Sequence, residues 1–73
     1  MRVNEFVKEK RRLANLTQPE LAEKAGVGLR FVRELEQGKE TLRLDKVNQV
    51  LKLFGYQVGA EPINRNIFTD EKS

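Results

Sequence analysis

The sequence contains no cysteine, no histidine and no tryptophan. Without cysteine it can form neither a disulfide nor a thiolate metal site. Without histidine it lacks the commonest general base and the commonest transition-metal ligand. No apolar run approaches the roughly 18 residues that a membrane span needs. No signal peptide is expected from Met1 onward. These absences together point to the bacterial cytoplasm. The hydroxyl nucleophiles are Thr17, Thr41, Thr69, Ser73 and Tyr56, with no histidine to activate them. No lysine lies in an apolar stretch that would depress its pKa, and the acidic residues are dispersed along helix surfaces. The expectation is a chain with no catalytic residue, no metal and no cofactor, and therefore not an enzyme.

What is present suits one small globular domain. The chain has 73 residues, of which 38% are hydrophobic and 34% charged, with a net charge of +3. That excess favours an acidic partner. A chain of this length buries only about 60% of its unfolded surface, so a second copy or another partner would add needed stability.

Hydrophobic spacing predicts four helices. Val3, Phe6, Val7, Leu13 and Ala14 mark an apolar stripe on a first helix over 3–14, which Asn15 and Leu16 end. Thr17, Pro19 and Glu20 form a capping box with proline in the first turn, and Leu21, Ala22 and Ala25 give the short second helix an apolar face. Gly26 stops it. A third helix is expected over 29–37 between the turn Gly26-Val27-Gly28 and Gly38, with Val32, Leu35 and Glu36 on one side. A fourth is expected from about Arg43 to Phe54, with Leu44, Val47, Val50, Leu51 and Phe54 inward and Gly55 as its stop.

Beyond Gly55 the period changes. Tyr56, Val58 and Ala60 alternate with Gln57, Gly59 and Glu61 before Pro62, which reads as one short strand. A lone strand leaves its ladder groups unpaired. The expected solution is pairing with the same strand of a second copy across a two-fold axis, with Tyr56, Gln57, Val58, Gly59 and Ala60 as the dimer interface. A frayed tail is the alternative. The division is thus a helical domain over 1–55, a dimerisation strand over 56–63 and a flexible tail over 64–73.

Two short helices joined by a glycine-containing turn make a helix-turn-helix. The outer face of the second of them carries Arg30, Arg33 and Glu34, which can donate to guanine or accept from cytosine at major-groove edges. For any one of these residues a merely solvated face is an alternative. The turn, the glycines and the capping box together favour a DNA reader.

The run from Leu16 to Val27, LTQPELAEKAGV, closely resembles the Xre/Cro-type (lambda-repressor-like) helix-turn-helix signature. The continuation Arg30 to Lys39, followed by Thr41 to Val47, is similar to the narrower HipB-like branch of antitoxins that partner HipA-type kinase toxins. The resemblance implies that Thr17 and Gln18 hold a phosphate at the start of helix two, which suits the free N–H groups expected there. Thr17 is also a plain N-cap. It implies base reading from Gly28, Leu29, Arg30, Arg33 and Glu34. Gly28 and Leu29 depart from the polar residues that many relatives carry, so Leu29 either meets a thymine methyl or packs at the core edge. Arg30 and Arg33 either fork onto guanine or bind phosphate, and Glu34 either accepts from a base or orients an arginine. Phe31 is either an apolar wedge or packing beside the next loop. In that loop Lys39, Thr41 and Arg43 correspond to contacts with the flanking backbone. Arg11 matches an arginine that pairs with a glutamate, here Glu36; both charges interrupt inward faces, where an unpaired charge is costly.

The implied function is a homodimeric repressor of a pseudo-palindromic double-stranded DNA operator, autoregulating its operon. As an antitoxin it would neutralise a HipA-type kinase toxin, with Ile67 and Phe68 as candidate anchors. The alternative is a stand-alone Cro/Xre-type regulator without a toxin partner. A third reading is an interaction module that kept the fold without DNA binding, which predicts no salt-dependent DNA affinity.

Overall fold

The computed structural model describes residues 2–59, and these form four α-helices in the order α1 (Val3–Leu13), α2 (Gln18–Ala25), α3 (Leu29–Gln37) and α4 (Leu44–Leu53). α3 packs on α1 and α2, and α4 packs on α2. The core at their junction is Val7, Leu21, Ala22, Val32, Leu35, Val47, Val50 and Leu51. Phe6, Leu16, Ala25, Val27, Leu29, Phe31, Leu42 and Phe54 pack around it, half-buried.

All four helices end in the same way. Leu16 N–H reaches back to the Arg11 carbonyl, Val27 to Ala22, Lys39 to Glu34 and Tyr56 to Leu51, at 3.0–3.1 Å. Each such bond closes over one left-handed residue, with Asn15 at φ 59° and Gly26, Gly38 and Gly55 at φ 76°, 86° and 85°. This double-bonded C-terminal closure satisfies carbonyls that would otherwise be orphaned. Asparagine is the side chain that tolerates the left-handed region best, so Asn15 does for α1 what glycine does elsewhere. The repeated punctuation explains why the predicted ends of α2 and α3 match the observed ones.

Helix faces differ from the expected pattern at helix ends. Leu13 is 70% exposed and Leu44 57% exposed, although both were expected inward, and Val3 and Ala14 are exposed as well. Leu13 and Leu44 are terminal residues of α1 and α4, where the neighbouring helix no longer covers the apolar stripe.

The expected strand is also absent among the described residues. Residues 56–59 run irregularly back along α1 and α4, and with Val3, Phe6 and Leu51 they border an open groove. One reason is local hydrogen bonding: the Tyr56 N–H closes α4, and the Val58 N–H donates to Asn48 Oδ1 at 2.8 Å. A single copy also offers no neighbouring ladder. The Tyr56 ring meets Phe6 edge-on, with centroids 4.7 Å apart, and Lys10 Nζ lies 5.4 Å and 5.5 Å from the Phe6 and Tyr56 centroids. Ala60 and the rest of the expected strand, and the expected tail over 64–73 with Ile67 and Phe68, lie outside the described residues.

Candidate nucleic-acid interface

α2 begins with the capping box expected from its sequence. Thr17 Oγ1 accepts from the Glu20 N–H at 3.2 Å, and the Thr17 N–H donates to Glu20 Oε1 at 2.8 Å. The box changes the anion-attracting start expected there. Thr17 and Glu20 have committed their N–H groups, Pro19 has none, and only the Gln18 N–H is left. The Glu20 carboxylate itself occupies the positive end of the helix.

The Gln18 side chain is likewise engaged inward. Its Nε2 donates to Glu36 Oε1 at 3.0 Å, and since a carboxylate only accepts, the amide nitrogen has to face it. Glu36 also takes the Arg11 fork, with Nε 2.7 Å from Oε2 and Nη2 3.1 Å from Oε1. The remaining Arg11 nitrogen, Nη1, donates to the Leu16 carbonyl at 2.9 Å. One buried carboxylate thus ties α1, the α1–α2 junction and the first turn of α2 to the back of α3. Burial alone would raise the Glu36 pKa. Hydrogen bonds from Arg11 and Gln18, with the positive charges of Arg11 and Lys8, outweigh burial and hold it below the usual carboxylate value. The same hydrogen bond from Arg11 to Glu36 raises the Arg11 pKa.

A further tie was not legible in the sequence. Gln49 of α4 sends its Nε2 to the carbonyls of Ala25 and Gly26, at 3.2 Å and 3.3 Å. It clamps the turn between α2 and α3 from behind. No local pattern marks this residue, because its partners lie more than twenty positions away.

α3 presents two faces. Val32, Leu35 and Glu36 are buried, while Arg30 and Arg33 are exposed, the Arg30 side chain to 90%. Leu29 and Phe31 are partly buried and pack against the core. Gly28 precedes α3 without a side-chain cap, so the N–H groups of the first turn of α3 stay open. Glu34 stands between two cations, with Arg30 Nε 3.4 Å and Lys39 Nζ 3.5 Å from its Oε2. Thr41 is exposed in the following loop. Arg43, expected to meet phosphate, flanks the start of α4 and grips Asp45, with Nε 3.2 Å from Oδ1 and Nη2 2.8 Å from Oδ2. That hydrogen bond lowers the Asp45 pKa.

Among the described residues no group of three or more acidic, cysteine or histidine side chains converges on a metal position, and no helix is long and apolar enough to cross a membrane. A short helix packed on a second one and joined to it by a glycine turn is the arrangement with which helix-turn-helix domains bind DNA, the second helix entering the major groove. The chain belongs to the helix-turn-helix family, which matches it over residues 7–59. It is also similar to the uncharacterized HTH-type transcriptional regulator y4mF of Sinorhizobium fredii (strain NBRC 101917 / NGR234). The two are 46% identical over 56 residues, 77% of this chain and 74% of the relative.

Proposed function

We propose that this protein is a homodimeric, sequence-specific transcriptional repressor that reads a pseudo-palindromic operator through α3. The observation that carries this reading is the division of α3. Val32, Leu35 and Glu36 lock one side into the core, and Arg30 and Arg33 stand exposed beside a first turn with open N–H groups. Arginine is the side chain that forks onto guanine, and open N–H groups suit phosphate. The likeness to a transcriptional regulator supports the same reading. Dimerisation through 56–60 is supported by the apolar surface around this segment, where Val3, Leu53, Tyr56 and Val58 are 37–48% exposed.

The finer proposal is an antitoxin of the HipB-like branch that autoregulates its operon and neutralises a HipA-type kinase toxin. Its support is the run from Arg30 to Val47. The second reading is a stand-alone regulator, and the relative y4mF, named as a transcriptional regulator, is compatible with either.

DNA binding is tested by fluorescence anisotropy against random and selected duplexes across a salt series. Binding that weakens by orders of magnitude between low and moderate salt, with one sequence preferred, supports the reader. Salt-independent or absent binding would leave only an interaction module. Light scattering after size exclusion, with and without the product of the adjacent gene, separates antitoxin from solitary regulator.

A further inference from the structure

We propose that Glu34 is a positioning residue for sequence reading, holding one edge of Arg30 so that the other edge meets guanine, and screening Lys39 from non-specific phosphate contact. The proposal rests on the DNA-reading function above and names a residue that sets its specificity. Glu34 is an acid on the arginine-bearing part of α3, where its charge opposes approach to any polyanion. Its Oε2 nevertheless gathers both neighbouring cations, Arg30 Nε at 3.4 Å and Lys39 Nζ at 3.5 Å.

Helix stability does not explain the arrangement. Arginine four residues before glutamate is the weaker order for an i,i+4 pair, and a pair with the cation 90% exposed adds little. The geometry of the guanidinium gives a better account. Its five N–H groups point along three edges, and the edge bearing Nε is the one turned to Glu34. The two terminal nitrogens stay free, and that pair matches the O6 and N7 acceptors of guanine. A long exposed side chain with four torsions would otherwise spend its flexibility on phosphates along the backbone.

Glu34 therefore acts in two ways. As an ion-pair partner 3.4 Å from Nε it biases the direction of Arg30. As a charge it offsets Arg30 and Lys39 toward DNA of any sequence. Two substitutions separate these roles, because Glu34→Gln keeps an acceptor and loses the charge, whereas Glu34→Ala loses both.

The test begins with selection of bound duplexes from a random library, using the full chain and its Glu34→Gln, Glu34→Ala and Arg30→Ala variants. Circular dichroism checks that each variant keeps its helices. Anisotropy on the selected duplex and on a scrambled duplex of equal length then gives preference and background. Both Glu34 variants are expected to bind the scrambled duplex roughly threefold to tenfold more tightly at low salt. Glu34→Ala is expected to lose about tenfold of preference at one guanine-bearing base pair, the same pair that Arg30→Ala releases, while Glu34→Gln keeps most of it. Loss of preference at a different pair, one that Arg30→Ala leaves intact, would show Glu34 reading a base itself and would overturn the proposal. Unchanged selection and background in all Glu34 variants would overturn it too. If the unaltered chain shows no salt-dependent DNA binding at all, the DNA-reading function fails first, and that result is distinct from either.

Discussion

Arg11 and Glu36, twenty-five positions apart, meet in a two-pronged ion pair whose side chains are only 15% and 2% exposed. Removing one partner strands the other charge in the core. Arg11→Ala or Glu36→Ala should therefore cost about 3–5 kcal/mol of stability, read from urea unfolding. Replacing both by apolar residues of similar size, Arg11→Met with Glu36→Leu, should recover most of that loss, because no unpaired charge remains. Additive effects in the double variant would show that the two residues do not act as a pair.

The same pair makes stability depend on acid. The folded-state pKa of Glu36 lies below its unfolded value, so its contribution is fully present above the ordinary carboxylate pKa, about 4.3. It fades as pH falls from there through the lower folded-state value. Thermal unfolding between pH 7 and pH 2 should show this loss in the native chain and a shallower one in Glu36→Gln. Equal slopes for the two would remove Glu36 as the source.

The capping box gives two separable effects at α2. Thr17→Ala should destabilise by about 1 kcal/mol, since the Glu20 N–H loses its acceptor. Glu20→Gln keeps a side-chain acceptor for the Thr17 N–H but removes a negative charge from a helix start that the family resemblance sets against phosphate. DNA binding at low salt should tighten in that variant, while the melting temperature falls by a few degrees because the carboxylate also favours the positive end of α2. Weaker binding instead would place this helix start away from the duplex.

Residues 56–59 carry the proposal of a second copy. Tyr56→Ala removes the edge contact with Phe6 and the cation above it, and it thins the exposed apolar rim. Light scattering should report a dimer for the native chain and a lower mass or weaker self-association for the variant. A monomer in both would make a palindromic operator doubtful.

Local rules made much of this architecture readable. The stops at Gly26, Gly38 and Gly55 and the box at Thr17 and Glu20 are properties of a few neighbouring residues, so a sequence displays them directly. The buried charge at Glu36 was legible for another reason: it interrupts a face otherwise formed by Val32 and Leu35. Leu13 and Leu44 misled because periodicity gives the direction of a side chain without saying whether a neighbouring helix extends far enough to cover it. The inward turn of Gln18 and the clamp by Gln49 depend on partners 18 and 23–24 positions away, and their amides fit no pattern of their own. Arg43 and Glu34 were readable as charged groups on and just after α3. Their capture by Asp45, and by Arg30 with Lys39, needed coordinates.

Gly28 differs from the glycines that end helices. Its φ of −76° is open to every residue type, and a Cβ added there would meet nothing within 4 Å. The fold exerts no veto over this position, although it sits at the entrance of the helix that carries the exposed arginines. A serine or asparagine could be accepted without rearranging a neighbour, and it would cap α3 while offering a new polar group at its tip. Under the proposed function, a single substitution at Gly28 can therefore change what the tip of α3 offers to DNA, with no second change required to keep the protein folded.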